Sequence, residues 1–541
     1  MPKAADVIEL SKQMRSKKFN WENQAQTAAK YCMPHKARIT IHQAEGERVS
    51  SDVYDSTAID AAQIAAAGLQ GFMTSPSSKW FALRFKDRRL NEDDDAKAWL
   101  HECEETIYDI LNGSNFNNEI AEFYHDLVVL PGATLYEEED PQEVVRFYNI
   151  PFEQVDLDEN ARGVVDLLTR TYTYNVRQAY ERWGDSCGPE IREKYEKKKF
   201  TDTVEIKHQV GVRYDRKAGK NDNRNMQFYS CYVLVEKKRM LEEGGYEEFP
   251  FFVGRWRKNS GEVWGYSPAM VALPDILMLN SMSKTIIRAA QKVVDPPWLF
   301  PDENFLMPLN FNPAGINWRT GDPTEQGPFP LMTNGNIPVG LELENQRREA
   351  IRRYFFADLF LMLLDAKNMT AFEVAKRVEE KMLVLGPVIG RLMSQVLSPI
   401  IFRTFKIALR NGLLPAMPAS LGDEVNLEPE YISPLARAQK LTLAQNLEGY
   451  LFTVGQMASI APQVLDKIDW DKSVDKLANI HSIDPTLLKS DQEVQKIREV
   501  RAQEQAQANA LMMAQMGGEA LEKVGKGAKA LTQDEGKKRA A

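Results

Sequence analysis

Three cations, Lys284, Arg288 and Lys292, recur four residues apart inside a stretch with helical patterning. At helical rotation they form one stripe about 80° wide, and Ile286, Ile287, Val293 and Val294 lie opposite it. Such a row can meet the phosphates of a nucleic acid, or it can face solvent or a neighbouring chain; spacing alone leaves both open. A second set, Arg347, Arg348, Arg352 and Arg353, spans about 240° of its helix, so no single surface holds all four and some are expected to pair with neighbouring chains. Glu344 and Arg348 stand i, i+4, a pair worth about 0.3 kcal/mol to the helix.

The other combinations that could do chemistry fall short of it. His101-Glu102-Cys103-Glu104-Glu105 resembles half of a zinc-protease motif, but Glu105 stands where a second imidazole belongs. His101 and Glu105 read instead as a solvated pair on the polar face of a helix. Gly525-Lys526-Gly527 lacks the hydroxyl residue and preceding strand of a phosphate-binding loop, so ATP hydrolysis is not expected. Gly265-Tyr266-Ser267-Pro268-Ala269 ends on alanine where a nucleophile elbow needs glycine. Cys32, Cys103, Cys187 and Cys231 form no C-x-x-C pair and read as buried thiols. No catalytic, cofactor-binding or metal-binding residue is therefore assigned, and no cofactor is expected.

The elements that must carry these residues follow from composition and pattern. At 541 residues, with 43% hydrophobic and 27% charged residues, the chain is globular and too long for one ordinary core. A net charge of −9 is the wrong sign for gripping DNA by counterion release and suits a protein that DNA slides past. The greasiest stretch, Val384 to Phe402, is broken by Pro387, Arg391 and Pro399, so no membrane span is expected. The N-terminus, with Asp6 and Glu9, lacks the pattern of a secretory signal.

Helices are predicted from Asp55 or Ser56 to about Gly71, rich in small residues that admit a close neighbour, and from Glu92 to Leu111 with Asn91 as cap. From about Ala133 to Arg257 the period changes. Val164 to Tyr174, Val204 to Tyr214 and Phe228 to Glu236 read as strands of an antiparallel insert. A long helix starts at Ser267-Pro268 and runs to about Val294, with Pro274 kinking or restarting it. The prolines between Asp295 and Gly340 exclude a long regular helix, and helix resumes from about Leu341 to Leu364. After a short joint, Thr370 to Glu373 fits a capping box; Gly386-Pro387 and Ser398-Pro399 bend or break the helix that follows, and Asn411-Gly412 ends it. Ser433-Pro434, Asp484-Pro485 and the capping box Ser490 to Glu493 start further helices, the last running to about Met516. A frayed tail is expected beyond Gly517-Gly518.

Three stretches resemble the head-to-tail connector, or portal, proteins of podoviral phages: YDSTAIDAAQIAAAGLQGFMTSPSSKWFALR at Tyr54 to Arg84, YEEFPFFVGRWRKNSGEVWGYSPAM at Tyr246 to Met270, and Arg352 to Arg403. The similarity runs in order over roughly Asp6 to Val500. It implies an α+β, mainly helical portal-type fold with a β-rich insert (about 133–257) in a wing, 1–265. Stem helices at 266–294 and 341–364 would flank a clip, 295–340. A tunnel loop at 365–370 and further wing helices at 371–430 would lead to a helical crown, 431–489, and a barrel helix with flexible tail, 490–541.

The resemblance implies a ring, a dodecamer if the family holds, at the portal vertex of a virion, assembled in the host cytoplasm. Partners would be a terminase packaging motor, a tail adaptor, capsid and scaffolding proteins, and double-stranded DNA held without sequence specificity; no membrane is implied. Channel or DNA-facing candidates are Lys284, Arg288, Lys292, Arg348, Arg352, Lys367 and Asn368, with Thr370 and Glu373 capping the helix after the tunnel loop. Trp298, Phe305, Phe311, Trp318 and Phe329 are candidates for docking motor and tail. Rival readings are a tail-tube or adaptor ring and, from another class, a metallohydrolase centred on His101.

Overall fold

The computed structural model describes residues 2–41, 46–47, 51–87, 89–91, 93–217, 222–294, 298–299, 329–330, 337–364, 385–418, 421, 427–432, 434–458, 462–481 and 493–508. The chain divides into two compact units: Met1–Arg84, Cys103–Pro415 and Leu427–Gln439 form one, and Phe85–Glu102, Ala416–Asn426 and Lys440–Ala541 the other. The architecture is mixed and mainly helical, as the sequence predicts.

In the larger unit α1 (Ala4–Cys32) precedes α2 (Thr57–Met73), where the Asp55 carboxylate accepts from the Thr57 amide at 2.8 Å. Five of the eight buried residues of α2 are alanine: Ala58, Ala61, Ala62, Ala65 and Ala66. After β1 (Phe81–Phe85), α3 spans Asp94–Gly113. Its stripe Ala96, Trp99, Leu100, Cys103, Ile107 and Ile110 is buried as predicted. The predicted start is corrected, because Asn91 does not cap α3. Its side-chain amide closes the turn after β1, accepting from the Phe85 amide at 3.0 Å and donating to the Phe85 carbonyl at 2.8 Å. A short amide side chain serves a local turn as readily as a helix end.

After α4 (Phe116–Val129) the period-2 pattern becomes two antiparallel sheets. The first orders β3-β2-β9 (Val144–Ile150, Ala133–Asp140, Phe251–Gly254). The second orders β4 to β8 (Val155–Glu159, Val165–Asn175, Thr203–Val212, Phe228–Leu234, Arg239–Tyr246) as a meander. Alternation along β7 shows why this sheet is covered on both sides. Cys231 and Val233 face Val7 and Ile8 of α1, whereas Tyr232 and Leu234 join Trp183 and Ile191. Those two residues belong to short helices, α5 (Val176–Trp183) and α6 (Pro189–Glu196), that strand patterning did not reveal. The signal was present as Asn175 and Gln178, which form a capping box at α5. All four cysteines are buried and none forms a disulfide; burial pushes Cys32 and Cys231 up to about 12 and Cys187 to about 11, which disfavours their thiolates.

Downstream lie α7 (Pro268–Val294), α8 (Ile337–Tyr354), α9 (Ala357–Leu364) and α10 (Leu385–Arg410). Neither Pro387 nor Pro399 breaks α10. A π-type turn at Met393–Leu397 absorbs the irregularity just before Ser398-Pro399. Asn411 and left-handed Gly412 (φ 65°) then end the helix, as predicted. By length and composition alone α7 and α10 are apolar enough to cross a membrane; each buries only part of its surface in the larger unit. α11 spans Pro434–Ala458, with the predicted Pro434 as its first residue. In the smaller unit α12 (Trp470–His481) is tied to helix 493–508 by the Arg498–Asp471 pair at 2.6 and 2.7 Å.

One polar cluster gives the larger unit a pH dependence. Beside α1, Lys36 pairs with Glu122 at 2.6 Å and Asp126 at 2.7 Å, and His35 stacks on His125 with centroids 5.8 Å apart. Burial, then Lys36 and His35, push the His125 imidazole down to about 4 against the pull of Glu122. A depressed pKa means stability that is present above pH 6.5 and lost as pH falls toward 4. The loss from this group should be about 3 kcal/mol. His125→Gln should lack that component when unfolding is measured at pH 7 and pH 4.5. Equal acid loss in both proteins would assign the sensitivity elsewhere.

Candidate functional site

The cationic stripe belongs to α7, whose start is locally encoded. Ser267 Oγ accepts from the Met270 amide at 3.2 Å and donates to the Val129 carbonyl at 2.8 Å, and Pro268 occupies the first turn. The helix continues through Pro274 for 27 residues. α8 packs against it antiparallel: Arg347 binds Asp275 at 3.0 Å, Ser283 donates to Glu344 at 2.7 Å, and Gly340 lies against Ile286. Glu344 is buried in this seam, and α8 starts at Ile337 with Pro338 in its first turn, earlier than the predicted Leu341. Proline is tolerated there because the first-turn amides lack intrahelical partners.

Ala272, Ile276, Leu279 and Ser283 form the buried face of α7, and Lys284, Arg288 and Lys292 turn away from it. Lys284 is half-buried, its ammonium 5.3 Å from the Tyr54 ring, in a segment tied down by Asn280 through the Tyr54 amide at 2.7 Å. Arg288 and Lys292 are exposed and have no carboxylate partner among the described residues. With Ile287, Ala290, Gln291 and Val294 they line an open groove. The stripe therefore combines one cation held against an aromatic ring with two free to meet an anion.

Within the chain α8 engages three of its four arginines. Arg348 binds Asp55 and Glu344, each at 3.0 Å, Arg347 binds Asp275, and Arg353 lies 3.5 Å from Glu349. The partners Asp55 and Asp275 are far away in sequence, and no local signal announces them. Arg352 is exposed. The predicted single helix to Leu364 is also corrected. α8 stops at Tyr354, Phe356 adopts a left-handed φ of 58° with its ring 6.0 Å from Trp256, and α9 begins at Ala357. Aromatic packing there overrides helix propensity.

Residues 4–488 match the family described as bacteriophage head to tail connecting protein. The chain belongs to that family. It is 30% identical to a probable portal protein of Bordetella phage BPP-1 over 529 residues, 95% of this chain and 94% of the relative. To a portal protein of Salmonella phage epsilon15 it is 28% identical over 511 residues, 93% and 92% of the two chains. The resemblance carried by the three stretches thus holds, and the chain is a portal subunit. The family is a structural assembly component of the virion.

Of the portal subunit's aromatic candidates, Trp298 and Phe329 lie in a two-stranded antiparallel ladder that pairs Trp298 with Pro330 and Leu299 with Phe329. Phe305, Phe311 and Trp318 lie outside the described residues, as do Lys367, Asn368, Thr370 and Glu373. On α3, His101, Glu104 and Glu105 present ligand atoms within 4.8 Å of one another. Lys79 pairs with both carboxylates, at 3.3 Å to Glu104, and the Leu83 amide donates to Glu104 at 3.2 Å. Glu105 of the expected solvated pair thus shares Lys79 with the buried Glu104.

Proposed function

We propose that twelve copies close into a ring at the capsid vertex, assembled in the host cytoplasm, and that double-stranded DNA passes through it during packaging and ejection. In this reading α7 and, from Leu341 on, α8 are the stem, 295–340 the clip that docks the terminase motor and later the tail adaptor, and 365–370 a tunnel loop in which Lys367 and Asn368 meet DNA. The subunit itself is passive; the motor supplies the work, and capsid and scaffolding proteins hold the rim. The observation that carries the reading is the antiparallel α7–α8 pair, in a chain of this family, with Arg288 and Lys292 exposed on it and meeting no carboxylate among the described residues. Leu277, Met278, Leu341 and Leu343 are also exposed on these helices, apolar surface that a neighbouring chain could cover. Neighbouring copies would cover it by heterologous contacts that close on themselves.

Electron microscopy of the purified protein is the test. Rimmed rings with a central channel are expected, and a persistent monomer would overturn the reading. In the same experiment, changing Lys284, Arg288 and Lys292 together to Gln should leave rings intact while weakening DNA retention, most clearly at low salt. Loss of rings in that variant would assign the stripe to the subunit interface. DNA contacts of this kind are backbone-directed, so retention should not depend on sequence.

A further inference from the structure

In the larger unit one buried carboxylate, Asp126 on α4, holds an amine and a carboxamide side by side. Its Oδ1 accepts from the Lys36 ammonium at 2.7 Å and its Oδ2 from the Asn149 side-chain amide at 2.6 Å. Lys36 ends the short helical turn Pro34–Lys36 that follows α1, and Asn149 lies on β3, so the two reach Asp126 from distant parts of the chain. All three are confined. Asp126 is 3% exposed, the backbone amide of Asn149 is fastened to Glu119 at 2.6 Å, and Asn149 Oδ1 is buried with no hydrogen-bond partner among the described residues. Burial raises the Asp126 carboxyl above its usual value against the pull of Lys36 and Asn149. Burial disfavours the Lys36 ammonium as well, but Asp126 and Glu122, the latter at 2.6 Å, outweigh it, so the resting lysine is protonated.

A lysine, a carboxamide and a carboxylate that touches both are the nucleophile, the electrophile and the proton carrier of an amide exchange. We propose that Lys36 and Asn149 join in an isopeptide bond within the chain, with Asp126 carrying the protons between them. Asp126 takes one proton from the Lys36 ammonium, and the freed amine adds to Cγ of Asn149. The adduct's charge develops on Oδ1, which has no other donor and accepts that proton from Asp126. A second proton passes from the attacking nitrogen through Asp126 to Nδ2. The Cγ–Nδ2 bond then breaks and the proton on Oδ1 follows the leaving nitrogen. The Nζ–Cγ bond has formed, one ammonium ion has left, and Asp126 is again a carboxylate; nothing is oxidised or reduced. Lys36 loses its charge, while burial, which weighs most in holding His125 down, persists. The bond fastens the end of α1 to β3 inside one subunit and does not depend on the ring reading.

Intact-mass spectrometry of the purified full chain, held folded at neutral pH, is the test. The mass should fall one ammonia below that of the sequence. Trypsin, unable to cut after Lys36, should leave a branched peptide joining Lys36 to Asn149. Lys36→Arg and Asn149→Ala should keep the full mass, and Asn149→Asp should lose water in place of ammonia. Asp126→Asn should stay unlinked while folded; linkage there at the wild-type rate would overturn the part given to Asp126. The wild-type reading stands whether or not that variant folds. A wild-type chain that keeps its full mass, or an ammonia loss that persists in Lys36→Arg, overturns the proposal and leaves an ordinary buried ion pair.

Discussion

Arg403→Met should destabilise the subunit by about 3–5 kcal/mol, because it strips the counter-ion from a carboxylate that has no route to water. Glu137 on β2 is fully buried, and Arg403 on α10 is 1% exposed. The arginine donates to the Glu248 carbonyl at 3.0 Å and stands 3.6 Å from the Glu137 carboxylate, which also accepts from Thr404 Oγ1 at 2.9 Å. Burial already pushes the Glu137 carboxyl up to about 7 even with Arg403 and Thr404 pulling it down. Without Arg403 it should be neutral at pH 7, and the buried part of the contact between α10 and the sheet would lose its ion pair. The double variant Glu137→Leu with Arg403→Met should recover most of the loss, since a buried ion pair and a well-packed apolar pair are often close in stability. Chemical unfolding of the four proteins measures the coupling. Additive losses would mean that the two residues do not act as a pair.

Gly68→Ala should cost about 1–3 kcal/mol net, although alanine is the better helix former by about 1 kcal/mol. A Cβ at Gly68 on α2 would sit 2.2 Å from Cγ of Phe360, and that ring is 5% exposed, packed, and unable to swing away. Steric overlap with a buried ring therefore outweighs propensity. The damage should concentrate in α9, which leads directly into residues 365–370, and amide exchange there should quicken while the β4 to β8 sheet is unaffected. Phe360→Ala alone should cost about 3–5 kcal/mol through its cavity. Combined with Gly68→Ala it should cost less than the sum, because the added methyl enters the vacated space. A stabilised Gly68→Ala protein would show that Phe360 yields and that the close approach is unimportant.

Features whose causes lie within a few residues were legible in the sequence. Ser267-Pro268 starts α7, Asn411-Gly412 ends α10, the alanines of α2 announce close packing, and the alternation of β5, β6 and β7 marks the meander. The spacing of Lys284, Arg288 and Lys292 made a stripe, and helical geometry alone put it on one face. The resemblance to the connector family rested on ordered stretches of that kind and needed no coordinates.

Only the tertiary structure decided which charges are engaged. Arg348 meets Asp55 across 293 residues and Arg403 meets Glu137 across 266, whereas Arg288 and Lys292, of the same chemical type, meet no carboxylate among the described residues. It also decided that the helix predicted to reach Leu364 breaks at Phe356, where the ring packs on Trp256, and that Asn91 serves a turn instead of a cap. The physical reason is the range of the forces involved. Backbone periodicity and capping are settled within one or two turns of chain, while ion pairing and steric fit depend on which distant surfaces burial brings together, and that is set by packing the whole unit at once.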